Sequence, residues 1–228
     1  MKKGILYGVG IGPGDSELIT VKAMNIISNC KYVATPQTGK SESLALSIVS
    51  EIMDLSDKII LNLTFPMTKD KTILNKSHED AANSIKEILD NGYDVVMLNL
   101  GDITIYSTFS YVMDRLLNDG YDVELVPGIT SFCASASKLK ISLTSMDGPL
   151  HLIPTSSYDI KEALQLSGTK VFMKIGKSMP ELIEKLKELN LEDNVYSVQN
   201  CGLENEKVSK GLDGLNGKMG YFTIVIVK

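Results

Sequence analysis

Three short segments hold most of the residues able to do chemistry in this 228-residue chain. Gly8-Val9-Gly10-Ile11-Gly12-Pro13-Gly14-Asp15 follows an apolar run and precedes a helical pattern. Glycines there let a backbone turn sharply and come close to a ligand. Leu100-Gly101-Asp102-Ile103-Thr104-Ile105-Tyr106-Ser107-Thr108 follows the apolar run that ends at Asn99. That is a strand's C-terminal end, where open α/β sheets bind ligands, and the helix it opens leaves backbone N–H groups free. Val126-Pro127-Gly128-Ile129-Thr130-Ser131-Phe132 repeats the arrangement, with Thr130 and Ser131 placed to cap a helix or hydrogen-bond a ligand. Taken singly, each segment also reads as an ordinary turn. Together, three glycine-bearing loops at three strand ends describe one ligand cleft.

The spacing removes the common nucleotide sites. A dinucleotide loop needs GxGxxG, and the sixth position is Pro13, Asp15 or Glu17 when counted from Gly8, Gly10 or Gly12. Gly39-Lys40-Ser41 and Gly176-Lys177-Ser178 would need glycine at the positions of Ala34 and Val171 to be phosphate loops. Both read better as turns in which serine caps a helix. His78 and His151 match no metal-ligand spacing, and Cys30, Cys133 and Cys201 form no CxxC pair, so no metal site is expected. The cysteines read as packing residues in a reducing, cytoplasmic compartment.

Strand candidates rich in Val and Ile must position the loops: Lys3–Val9, Tyr32–Thr35, Lys58–Leu63, Asp94–Asn99, Val123–Val126, Pro149–Pro154, Thr169–Ile175, Asn194–Gln199 and Tyr221–Val227. Helical patterns cover Glu17–Ser28, Glu42–Met53 behind a Ser41 cap, His78–Asn91, Tyr111–Asn118 and Met179–Leu189. Strand–helix alternation with near-continuous apolar strands predicts an α/β fold with mostly parallel sheets. The strands outnumber those of one compact unit. A polar hinge at Asn118-Asp119-Gly120-Tyr121-Asp122 divides the chain into two α/β lobes, 1–118 and 119–228.

Hydrophobic residues make up 43% of the chain and charged residues 22%, which fits a globular protein. The 23 basic residues against 28 acidic ones give a net charge of -5, which disfavours a nucleic-acid partner. No apolar run approaches a membrane span, so no membrane partner is expected. The apolar N-terminal stretch is short and broken by glycine, and reads as a buried first strand rather than a signal peptide.

In that order and at those separations, GVGIGPGDSELIT, GDITIYST and VELVPGITSF resemble the tetrapyrrole methylase family, S-adenosylmethionine-dependent methyltransferases with two α/β lobes and the cofactor cleft between them. The resemblance covers nearly the whole chain, including the YFTIVIV ending. Phe65-Pro66-Met67, Tyr106-Ser107-Thr108, PGITSF and Val171-Phe172-Met173-Lys174 resemble the branch that methylates C20 of precorrin-2 or cobalt-precorrin-2 in cobalamin biosynthesis. The resemblance implies that Ile11 lines the cleft opening. It implies that Gly101, Asp102, Ile103 and Ile105 cradle the cofactor's amino-acid end, with Tyr106 at their flank. Thr130 and Ser131 would contact its other side, and Met173 and the Asn200-Cys201-Gly202 turn its adenine. A homodimer is implied as well.

One position departs from the family pattern, which reads Gly-Asp-Pro where this chain has Gly101-Asp102-Ile103. Proline would fix φ at about −65° and remove an N–H. Ile103 keeps the N–H and a freer backbone, which bears on loop rigidity and cofactor affinity. Methyl transfer from a sulfonium to a nucleophilic meso carbon needs orientation and exclusion of water, and no protein nucleophile. Tyr106 and Asp102 are the acid/base candidates, with positioning as their first role. A disc-shaped substrate with eight carboxylates calls for cations, and Lys40, Lys69, Lys71, Arg115 and Lys174 are the candidates. His78, at an expected helix start, and His151, inside a strand, read as structural. Three other readings stay open: another tetrapyrrole position, including sirohaem-type methylation; a catalytically silent cofactor binder; and, less well supported, a nicotinamide oxidoreductase.

Overall fold

The computed structural model describes residues 2–38, 43–155, 158–215 and 219–228. The chain divides into two compact units, Met1–Thr130 and Ser131–Lys228. The division falls after Thr130 rather than at 118/119, because the strand after the expected hinge belongs to the first sheet. The hinge itself is a packed helix end. Gly120 takes φ 74, Tyr121 N donates to Leu116 O at 3.0 Å, and the buried Tyr121 hydroxyl donates to Asp90 Oδ1 at 2.9 Å.

The first unit has five strands: β1 (Leu6–Gly10), β2 (Tyr32–Gln37), β3 (Ile59–Thr64), β4 (Val95–Asn99) and β5 (Val123–Val126). They pair in the order β3-β2-β4-β1-β5, all in parallel. Every residue of β4 is buried, as expected for a central strand covered on both faces. The helices are α1 (Val21–Asn29), α2 (Leu44–Ser50), α3 (Lys71–Asp90) and α4 (Phe109–Asn118). Thr20 caps α1 by accepting from Ala23 N at 3.1 Å. Ser43 stands at the N-cap of α2 without a side-chain bond, while the expected Ser41 cap lies outside the described residues. α3 begins seven residues before His78, because the Asp70 carboxylate accepts from Thr72 N and Ile73 N. His78 therefore lies inside the helix rather than at its start.

The second unit holds α5 (Ser131–Leu139), β6 (Leu150–Pro154), α6 (Ile160–Gln165), β7 (Thr169–Met173), α7 (Met179–Glu188), β8 (Val195–Gln199), β9 (Lys207–Lys210) and β10 (Thr223–Val227). Its sheet order is β6-β7-β10-β8-β9. Only β6 and β7 pair in parallel; the other pairs are antiparallel. The expectation of mostly parallel sheets therefore holds for the first unit and fails for the second. Residues 200–206 are too few for a crossover, so β8 and β9 form a hairpin. β9 was not among the expected strands. Its Lys-Val-Ser-Lys sequence lacks an apolar run, and lysines suit an exposed edge strand.

Each unit has its own core. In the first, Ile85, Leu89, Met97, Ile103, Phe109 and Leu116 are fully or almost fully buried. In the second, Phe172, Met179, Leu182, Val195 and Val225 fill the same role. Among the described residues, no helix is long and apolar enough to cross a membrane.

Candidate active site

β1 runs between β4 and β5, so the loops that follow these three strands emerge side by side. Their backbones touch. Gly101 N donates to Gly12 O at 2.7 Å and Gly12 N to Gly101 O at 3.3 Å, an isolated antiparallel bridge. A Cβ on Gly10 would lie 2.6 Å from Gly128 N and 2.7 Å from Gly101 O, and one on Gly128 would lie 2.3 Å from Gly101 O. These glycines are needed because three main chains pack against one another, a requirement no side chain satisfies.

Asp102 fastens the contact. Its Oδ1 accepts from Thr104 N at 2.8 Å and from the Thr104 hydroxyl, while Oδ2 accepts from Gly128 N at 2.9 Å. The carboxylate is buried and tied to both the β4 and the β5 loops. Burial works to raise its pKa, but the Thr104 and Gly128 hydrogen bonds prevail and hold the group below the usual aspartate range. Asn99 completes the brace. Its Nδ2 donates to Leu100 O at 2.7 Å and Asp102 O at 3.2 Å, and its Oδ1 accepts from the Ser107 hydroxyl at 2.7 Å. Phe109 N donates to Ser107 Oγ at 3.0 Å, which joins the loop to α4. These bonds, with the Ile103 side chain buried in the core, constrain the loop where the family has proline.

The anticipated residues separate by accessibility. Gly101, Asp102 and Ile103 are buried scaffold. Ile105 is half-buried, and Tyr106 is 43% exposed in the left-handed region at φ 50, a strained conformation for a bulky side chain. Ile11 is fully buried, with its N–H donating to Asn99 O at 3.0 Å. Thr130 closes the first unit and Ser131 opens α5, both half-buried. In the second unit, Met173 ends β7 and Cys201 follows β8; both are buried, and burial pushes the Cys201 thiol pKa up.

Lys69 and Lys71 are exposed beside the start of α3, Arg115 lies on α4, and Lys174 follows β7 with φ 55. Lys40 lies outside the described residues. His151 is held in β6, with Nε2 2.9 Å from Ser167 O. His78 is 6% exposed and stacks on Tyr111, with ring centroids 4.3 Å apart and planes at 6°. Sequence reasoning did not single out Asn99 or Thr104, whose hydrogen bonds brace the loop. For Asn99 the signal was a polar residue closing an otherwise apolar strand. Among the described residues, no group of three or more His, Cys, Asp or Glu could hold a metal ion.

The family model for Tetrapyrrole (Corrin/Porphyrin) Methylases matches residues 5–213. The chain belongs to the tetrapyrrole methylase family. A relative from Methanocaldococcus jannaschii, a probable cobalt-precorrin-2 C(20)-methyltransferase, is 35% identical, with 98% of this chain and 95% of the relative covered. A Salmonella typhimurium relative, cobalt-precorrin-2 C(20)-methyltransferase, is 28% identical over 98% and 96%. The solved structure of a cobalt precorrin-4 methyltransferase shares the fold, with a TM-score of 0.75, 19% identity and coverage of 98% and 94%. The stitched glycine loops thus belong to a tetrapyrrole methyltransferase of two α/β units.

Proposed function

We propose that this tetrapyrrole methylase transfers a methyl group from S-adenosylmethionine to C20 of cobalt-precorrin-2 in cobalamin biosynthesis. The carrying observation is the 35% identity to the Methanocaldococcus jannaschii relative across 98% of the chain. The site chemistry supports the reading. Thr104, Ile105 and Tyr106 offer a hydroxyl, an apolar side chain and a half-exposed aromatic ring on a braced loop. That set suits a ligand with a polar amino-acid end and a cationic sulfur, since aromatic faces attract cations. S-adenosylmethionine, when bound, supplies an electrophilic methyl group.

The chain's own part is to orient and shield. Asp102, Asn99 and Ser107 hold the loop rigid, and Ile105 and Tyr106 exclude water. Asp102 acts by positioning: every donor it meets is a loop group, and its low pKa suits a permanent acceptor rather than a proton shuttle. Tyr106 remains the group through which a proton leaves or moves. The roles of Met173 and Cys201 at the adenine rest on the family resemblance alone. The same reading makes the enzyme a cytoplasmic homodimer, a state that light scattering measures.

The test is an anaerobic reaction with S-adenosylmethionine and precorrin-2, with and without cobalt, followed by mass spectrometry. A gain of one methyl group on the cobalt form supports the proposal. No gain on either form, from protein that binds the cofactor, sinks it.

A further inference from the structure

We infer that Tyr111 is the face on which the planar tetrapyrrole lands, with Arg115 as the fork for one of its carboxylates. The inference rests on the tetrapyrrole reading above and adds a substrate subsite to it.

Tyr111 occupies the first turn of α4, and its N–H donates to Thr108 O at 3.3 Å, so the braced loop fixes its place. One face of the ring is covered. His78 of α3 lies beneath it, almost parallel, and Phe65 packs on His78 in turn at 5.8 Å and 42°. Yet Tyr111 remains 50% exposed, and among the described residues its hydroxyl meets no hydrogen-bond partner. A ring that served only to space two helices would be buried like His78. A ring held on one face and half-exposed loses little side-chain entropy when a flat ligand stacks on it.

Arg115 stands one helical turn further on. It donates from Nη1 to Tyr111 O at 2.8 Å, and among the described residues no carboxylate pairs with it. It is the only arginine among the 23 basic residues. A guanidinium fork matches a carboxylate with two parallel hydrogen bonds, which lysine does not offer. His78 stays neutral beside it, because burial and the Arg115 charge both disfavour the imidazolium. The stack therefore presents one cation and one aromatic face, which fits a flat, acid-fringed macrocycle.

Steady-state kinetics on the full-length enzyme test this with Tyr111→Leu, Tyr111→Phe and Arg115→Gln. Tyr111→Leu and Arg115→Gln each raise KM for cobalt-precorrin-2 about five- to tenfold while KM for S-adenosylmethionine stays at the wild-type value. Tyr111→Phe, which restores the ring, recovers most of the loss. Melting temperature and cofactor binding, measured on each variant, separate a lost subsite from a loosened α3–α4 contact; Arg115→Gln leaves the stacked rings in place. If wild-type enzyme methylates neither form of precorrin-2, the C20 reading fails. Quenching of uroporphyrin fluorescence, which reports a stable planar tetrapyrrole with eight carboxylates, then decides between wild type and Tyr111→Leu. Weaker binding by the variant upholds the subsite. Equal KM values, equal quenching or no uroporphyrin binding by wild type overturns it.

Discussion

Replacing Asp102 by asparagine separates a brace from a base. The carboxylate accepts from Thr104 N at 2.8 Å, from the Thr104 hydroxyl, and from Gly128 N at 2.9 Å. Asparagine keeps one acceptor and turns the other into an N–H2 donor. With its oxygen toward Thr104, the amide faces Gly128 N donor to donor. A hydrogen bond to a charged group contributes about 1.5–3 kcal/mol, and a buried donor without a partner costs about 1–3 kcal/mol. These terms overlap, so the expected loss is about 3 kcal/mol. Thr104→Val removes only the hydroxyl and should cost about 1 kcal/mol. The chain has no tryptophan, so far-UV circular dichroism in urea follows unfolding. Because the folded pKa is depressed, the carboxylate's contribution is complete above the unfolded-chain value and disappears as pH falls through the folded one. The gap between wild type and Asp102→Asn should therefore close in acid. Cofactor affinity should fall, with the pH profile of kcat unmoved. An Asp102→Asn enzyme with wild-type stability and cofactor affinity, but no turnover, would refute the brace and make Asp102 a proton acceptor.

Gly128→Ala should cost at least about 3 kcal/mol, because its Cβ would lie 2.3 Å from Gly101 O and 2.7 Å from Gly10 C. Gly120→Ala is the control: nothing lies within 4 Å, so only its φ of 74 is penalised, by about 1–2 kcal/mol. His78 has a folded pKa below 6.5, so below that pH the unfolded chain takes up a proton that the folded chain resists. Stability should fall over that window in wild type and fall less in His78→Phe, as urea midpoints will report. Of the three thiols, only Cys133 is exposed, and burial pushes the Cys30 pKa up to about 11. A disulfide reagent should titrate one thiol quickly in native protein and three after unfolding; two or more fast thiols would contradict the packing.

Much of this architecture is legible from residue patterns. The runs at β1 and β4 are apolar because both faces of a central parallel strand are covered, and the loops after β1, β4 and β5 are glycine-rich because their backbones touch. What escaped notice depended on contacts distant in sequence. β9 is a lysine-bearing edge whose pairing comes from the β8 hairpin, not from its own composition. The antiparallel placement of β10 is set by its neighbours β7 and β8. The full burial of Ile11 was likewise not legible from its motif position. The stack joins His78 and Tyr111, residues more than thirty positions apart on two different helices, and no local spacing announces it.

The central claim is methylation at C20 of the tetrapyrrole. The most direct measurement uses S-adenosylmethionine carrying a ¹³C-methyl group, cobalt-precorrin-2 and anaerobic conditions, with the product read by NMR. A single new methyl resonance on the C20 meso carbon is the predicted result. A methyl group on any other ring carbon, or label left entirely on the donor, would contradict it.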